Sequence, residues 1–440
     1  MTRRPSRAPF GRSVRDALDC SLGIAERLGY EVTDDDGYVG IADIPGECEE
    51  HIATIAHVDV VPAGPGWGTD PFSMERREGW LLGRGVIDDK GPAVLSLYAG
   101  AFFLREGITP RYTFRALLGC DEEVGMTDVK HYLAGHEQPL FLFTPDAEFP
   151  VCNAEKGCFG GTFKSAKIEN GIICSWSGAE ATNAIPSQSE CIIAVPLADL
   201  SAPQANADRI TLEDAGEGCT RIFAQGIGGH ASLPEGTINA IALVAGYLHE
   251  VMDVKPDLFD PAERSYLDLL SVVHDGTAGE GLGIAAESDA FGALTCNAGT
   301  IEVADGHILQ TIDVRYPDST TSDEMSMICG AHASRFGAEF IAGRAKEPFS
   351  VSADSPAVRA LLNTYREVTG KPAEPFSMGG GTYARNFKSA VSFGPEDNGL
   401  ELPAWAGSMH GPNEAANEQL LRDALKMYII ALVRLNELEF

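Results

Sequence analysis

His57, Asp59, Asp88, Glu122, Glu123, Asp146 and His410 are the residues of this chain whose types and settings could do chemistry. Each lies in a tight local motif: HVD at 57–59, GRGVIDDKGP at 83–92, DEEVG at 121–125, TPDAEFP at 144–150 and SMHGPNE at 408–414. Carboxylates from these motifs could not be buried close together without cations, because repulsion and desolvation would drive most of them to protonate. Two imidazoles and three of the acids can supply a pair of divalent ions. One acid is then left to move protons and another to orient a histidine. That division of labour suits a metal-assisted hydrolase.

Each motif alone has an ordinary reading. His-x-Asp is common in surface strands, DEE is usually a solvated acidic face, and a His-Gly pair often marks a turn. The flanking sequence changes this balance. HIATIAHVDVV (51–61) predicts a buried strand running out at Val60-Val61, TFRALLGCDEE (113–123) a second strand ending at its acids, and PLFLFTPDAE (139–148) a third. In open α/β sheets ligands collect at the carboxyl ends of strands, and here three apolar strands each end in a candidate ligand. In Asp88-Asp89 either acid could be the ligand by composition.

The elements that must position these groups fall into three regions. SVRDALDCSLGIAERLG (13–29) puts Val14, Ala17, Leu18, Leu22, Ala25 and Leu28 on one helical face. Strands and helices then alternate to about residue 155, including the helix KGPAVLSLYAGAFFLREG (90–107). From about 157 to 350 short strands such as 189–197, 219–227 and 306–317 mix with helices such as 237–252. An α/β pattern returns with a helix at 357–370, a strand in SAVSFGPE (389–396) and a terminal helix at 417–438. Since His410 must join ligands from 57–146, both ends belong to one domain and the middle is an insertion. The expected division is 1–156 and 351–440 for the first domain and 157–350 for the insertion.

Composition agrees with an enzyme of this kind without identifying it. With 440 residues, 44% of them apolar, the chain is long enough for two domains. Thirty-three basic against 64 acidic residues give a net charge of −31. That balance lacks the basic footprint of a nucleic-acid binder and is read as a matter of solubility or habitat. No stretch approaches the about 20 apolar residues of a membrane helix. The basic lead MTRRPSRAPFGR has no apolar core behind it and is read as a short disordered lead-in, not a secretion signal. Ten cysteines without CxxC spacing suggest reduced, buried thiols in a cytoplasmic protein.

The motifs together resemble the zinc aminopeptidase-fold hydrolases that include bacterial dipeptidases, carnosinases, aminoacylases and desuccinylases, and among these the bacterial dipeptidases most. The likeness runs from PFGRSVRDAL (9–18) through AHVDVVPAGPGWGTDPF (56–72) and GRGVIDDKGP to GGGTYARNF (379–387) and MHGPNE. It implies an α/β fold: a zinc-exopeptidase-like catalytic domain, with a mixed sheet flanked by helices, carrying an inserted α+β lid of two lobes. It also implies roles. His57 and Asp146 would hold one ion, Glu123 and His410 the other, and Asp88, selected over Asp89 by the family motif, would bridge them. Glu122 would be the general base and Asp59 the partner that orients His57. The peptide between Asp88 and Asp89 would be cis.

In the insertion the same resemblance makes His230 of GGHASLP the group that steadies the oxyanion, and Arg315 of DVRYP the clamp for the substrate's free carboxylate. Asn183 of TNAIP matches a weaker motif for a substrate hydrogen bond, and the GGGT loop with Gly381 and Thr382 could offer backbone N–H groups. The reading is a cytoplasmic dipeptidase with two divalent ions, zinc first and manganese or cobalt also acceptable to the donor set. Its partner is a small unblocked peptide, with no nucleic acid and no membrane. The length of the insertion leads to the expectation of a monomer, with His230 and Arg315 acting within one chain. The alternatives are an N-acyl-amino-acid amidohydrolase sharing the metal site, and a catalytically dead relative, against which stands the presence of Glu122 and every ligand.

Overall fold

The computed structural model describes residues 7–397 and 399–440, so the first half of the basic lead, read as disordered, lies outside the described residues. Two compact units divide the chain. One comprises the residues up to Ala154 with Ser350–Phe376 and Gly381–Phe440, the other Glu155–Phe349 with Ser377–Gly380.

The first unit is built on a mixed sheet. Its strands run in the order Glu31–Asp35, Val39–Ile44, Tyr112–Gly119, Cys48–His57, Leu142–Thr144 and Ala390–Ser392, beyond which Cys152–Glu155 continues the sheet antiparallel. The four from Tyr112–Gly119 onward are parallel to one another, while Val39–Ile44 and Glu31–Asp35 add antiparallel pairs at one edge. Parallel strands are buried on both faces, and Ile52 through His57 accordingly form an unbroken buried run. The helices Arg12–Leu28, Lys90–Glu106, Pro356–Thr369 and Glu418–Glu437 belong to this unit. Leu97, Phe103, Phe114, Phe143, Leu361 and Leu432 share one core. Gly100 admits that packing, since a Cβ there would lie 2.0 Å from the Phe114 ring.

Two details depart from the sequence reading. The strand expected to run out at Val60-Val61 stops at His57, and the next two are shorter than expected, Tyr112–Gly119 and Leu142–Thr144. The Val58 N–H reaches the Gly119 carbonyl at 2.9 Å. Beyond Gly119 the neighbouring strand offers no further rung, so the chain turns away. Within the first helix the buried face includes Arg15, whose guanidinium is held by Asp19 and Asp34.

The second unit holds two four-stranded sheets. One runs Thr295–Ala304, His307–Tyr316, Gly157–Lys164, Glu339–Lys346, and the other Ile173–Ser177, Gln188–Ile193, Cys219–Gln225, Ile210–Gly216. Helices Ala240–Val254, Pro261–Val273 and Ser322–Arg335 complete it. Phe163, Trp176, Ile222, Leu248, Leu270 and Ile312 lie in one continuous core. Helix Ala240–Val254 starts three residues later than the apolar pattern suggests because Asn239 caps it, accepting from the Ile241 N–H.

All ten cysteines are free thiols, but only Cys120, Cys152, Cys191, Cys296 and Cys329 are buried. The expectation of generally buried thiols therefore fails at the others, with Cys20 and Cys174 exposed. Among the described residues no helix is long and apolar enough to cross a membrane.

Candidate metal centre

The parallel strands deliver the cluster at their carboxyl ends. His57 is the last residue of its strand and is buried. Its Nε2 lies 3.0 Å from Asp88 Oδ1 and 3.9 Å from Asp146 Oδ1. The other carboxyl oxygen of Asp88 lies 2.8 Å from Nε2 of His410, which is 3.2 Å from Glu123 Oε2. Each oxygen of Asp88 thus faces a different imidazole. The Asp88–Asp89 peptide is cis, as the resemblance leads one to expect.

Asp59 serves this cluster in two ways. Its backbone carbonyl is 3.0 Å from His57 Nδ1, against 3.5 Å for its nearer carboxyl oxygen. A proton on Nδ1 would then leave the Nε2 lone pair facing the acids. The Asp59 carboxylate meanwhile accepts the N–H groups of Glu122 at 3.3 Å and Glu123 at 3.2 Å, holding the acidic turn in place. Asp89 sits beneath His57, with Oδ2 accepting the His57 N–H at 3.1 Å.

Further residues hold the loops and were quoted in the motifs without a role. Glu414, fully buried, accepts the N–H groups of Gly85 at 3.0 Å and Ile87 at 3.1 Å through one oxygen, and Arg84 Nη1 at 2.6 Å through the other. Arg84 also donates to the His410 carbonyl at 3.1 Å. One buried ion pair thus ties the Asp88 loop to the His410 loop, across 330 residues of sequence. Removing one partner of such a pair typically costs about 3–5 kcal/mol, because the other charge is left buried alone. His410 itself takes a left-handed φ of 60°, uncommon outside glycine. Below the acidic turn Asp128 accepts from the Cys120 N–H at 2.5 Å, the Asp121 N–H at 3.0 Å and the Tyr383 hydroxyl.

The electrostatics follow from packing acids and imidazoles together out of water. Burial, followed by the neighbouring carboxylates against the opposing pull of His57, pushes Glu122 up to about 8. Burial likewise drives Asp146 and Asp89 well above the usual carboxylate range. Hydrogen bonds to Asp88 and Glu123 raise His410 to about 10. For His57, burial opposes the proton, but Asp59 and Asp88 override it and raise the group well above its usual value. Without cations, then, the cluster neutralises itself with protons. Divalent ions would do the same work while leaving the acids charged. Among the described residues Glu123 Oε1 is buried without a hydrogen-bond partner. Ligand atoms of His57, Glu122 and Asp146, and of His57, Asp88 and Glu123, each lie within 4.8 Å of one another. This nitrogen and oxygen donor set fits zinc or a similar divalent ion.

His230, Asn183 and Arg315 belong to the second unit. His230 pairs with Ala184 across a short ladder, and the Ala231 N–H donates to the Asn183 carbonyl at 2.8 Å, which puts Asn183 beside it. His230 Nδ1 lies 3.2 Å from the Ser232 N–H and 2.7 Å from its hydroxyl. With Nδ1 accepting, Nε2 carries the proton and is a donor. Arg315 holds Asp313 through Nε at 2.7 Å and Nη2 at 3.2 Å, and Nη1 donates to the Gly379 carbonyl at 3.0 Å. One edge of the expected carboxylate clamp is therefore engaged inside its own unit. Gly381 and Thr382 lie in the first unit. The Thr382 hydroxyl caps the Ala384 N–H at 3.1 Å and lies 3.1 Å from that of Ser392.

The Beta-Ala-Xaa dipeptidase of Lactobacillus delbrueckii subsp. lactis is 31% identical over 437 residues, covering 96% of this chain and 88% of that protein. Two solved structures share the fold. The M20 family metallo-carboxypeptidase Sso-CP2 of Sulfolobus solfataricus has a TM-score of 0.58 at 16% identity, covering 99% of this chain and 97% of that one. Human carnosine dipeptidase 1 has a TM-score of 0.56 at 13% identity, covering 98% and 93%. The model of peptidase family M20/M25/M40 matches residues 53–434, a span that runs from the strand carrying His57 into the terminal helix. The chain belongs to peptidase family M20/M25/M40.

Proposed function

We propose that the chain is a metallopeptidase hydrolysing unblocked dipeptides with two divalent ions, zinc first among them. The observation that carries this reading is the carboxylate of Asp88, with one oxygen toward His57 and the other toward His410. A single carboxylate can span the about 3.5–4 Å that separates the ions of two-metal hydrolases. His57 and Asp146 would hold one ion and Glu123 and His410 the other. When bound, the ions supply Lewis acidity and bring a water's pKa to near ~7.

The chain's own residues do the remainder. Glu122, beside the cluster but not needed as a ligand, takes the proton from the attacking water and returns it to the leaving amine. Asp59 fixes the His57 ring through its carbonyl and the acidic turn through its carboxylate. The Nε2–H of His230 has the donor character required to steady an oxyanion. Arg315 and the Gly381–Thr382 backbone would hold the free carboxylate, with Asn183 adding a hydrogen bond. Arg315 must then use the donors not committed to Asp313. That the Beta-Ala-Xaa relative is named a dipeptidase supports the substrate class.

An N-acyl-amino-acid amidohydrolase could share this metal site, and substrate competition separates the two. Zinc-loaded protein should hydrolyse Leu-Ala with a kcat/KM at least about 100-fold above that for N-acetyl-Leu, a gap of ~2.7 kcal/mol. Preference for N-acetyl-Leu would refute the dipeptidase reading.

A further inference from the structure

Beside the metal cluster, within the first unit, a cavity of about 190 Å³ is lined by Trp80, Ile87, Glu396, Leu400, Leu402 and Met409 among others. Its position follows from the chain, since Ile87 precedes Asp88 and Met409 precedes His410. The same peptide segments that present two ligand side chains therefore also form its wall. Trp80 opens the strand Trp80–Leu82, which pairs with Ala415–Asn417 and forms the floor. Leu400, Leu402 and Met409 remain more than a third exposed, an apolar surface left open to solvent beside a polar centre.

Glu396 supplies the cavity's acidic group. Its backbone is fixed by the parallel pairing of Pro395–Glu396 with Ala147–Glu148 and by the Phe149 N–H at 3.0 Å. The neighbouring acid Asp397 is paired with Lys371 at 3.2 Å. Among the described residues no hydrogen bond or ion pair holds the Glu396 side chain, which is not one of the candidate ligands; burial, with Asp88 and Glu148 nearby, pushes its carboxyl up to about 8 against the pull of His410. Ionising the Glu396 carboxyl in this position without a partner is costly. That cost is offset if a cation arrives with the ligand.

We propose that this cavity is the subsite for the first residue of the substrate, with Glu396 receiving the free ammonium and Trp80, Leu400, Leu402 and Met409 receiving an apolar side chain. This inference rests on the dipeptidase reading and deepens it. It gives a physical reason for rejecting a blocked amine, since an acylated nitrogen brings no charge to Glu396. It also assigns the side-chain preference to residues around 400–409, where the sequence motifs carry no signal.

Two variants test it, each first checked for two bound ions and an unchanged melting temperature. Glu396→Gln should raise the KM for Leu-Ala about 10- to 100-fold, the worth of one hydrogen bond to a charged group, with a smaller change in kcat. Leu402→Glu should shift the ratio of kcat/KM for Leu-Ala over Lys-Ala toward Lys-Ala by about tenfold or more. A KM within twofold of wild type in Glu396→Gln overturns the ammonium site. An unchanged Leu-Ala to Lys-Ala ratio in Leu402→Glu overturns the side-chain pocket. Wild-type protein that ignores both dipeptides and cleaves N-acetyl-Leu would overturn the dipeptidase reading itself, and this inference with it.

Discussion

Glu122→Gln protein should bind two divalent ions as tightly as wild type yet turn over Leu-Ala several orders of magnitude more slowly. Gln is nearly isosteric with Glu but cannot accept the proton of the attacking water. General base catalysis is usually worth about 10²- to 10⁴-fold, and the same carboxylate also has to return the proton to the leaving amine. The turn that carries residue 122 is held through its backbone by Asp59, so the substitution should leave the neighbouring ligand Glu123 in place. Elemental analysis with steady-state kinetics checks both halves. Retention of more than about a tenth of wild-type turnover would remove Glu122 from the role of base, since even the low end of the range predicts a larger loss.

His410→Ala should show the opposite pattern, with one ion per chain lost and activity down at least as far. His410 Nε2 lies within 3.2 Å of both Asp88 and Glu123, and no other imidazole stands on that side of Asp88 among the candidate ligands. The ion held by His57 and Asp146 should remain. Because Arg84 grips the backbone carbonyl of residue 410 and not its side chain, the loop should keep its conformation. Loss of both ions, or of neither, would contradict the proposed sharing of ligands.

Much of this was legible because the acids and imidazoles sit inside local motifs at the ends of apolar strands. Periodicity located the helices Arg12–Leu28 and Lys90–Glu106 to within a residue or two at each end. Strand ends were less legible, because a strand stops where its neighbour stops, as His57 does opposite Gly119. The Arg84–Glu414 pair was out of reach for a different reason. Shared ligands bring the Asp88 and His410 motifs together, but nothing in either motif shows that Arg84 and Glu414 are the side chains that tie them. The division of labour within Asp88-Asp89 also depended on the fold. The two are identical by composition, and the family motif selects Asp88; the geometry sends Asp88 to the two imidazoles and adds what no motif showed, Asp89 accepting from the His57 backbone. Likewise the fork between Arg315 and Asp313 could not be inferred from DVRYP alone, since alternation in a strand says which residues share a face and not which donors are already engaged.

Stepwise return of zinc to chelated protein, with Leu-Ala hydrolysis followed at each addition, tests the central claim most directly. The two-ion reading predicts negligible turnover in the metal-free protein and full activity only as the second ion per chain binds. Full activity without metal, or a plateau reached at one ion per chain, would contradict it.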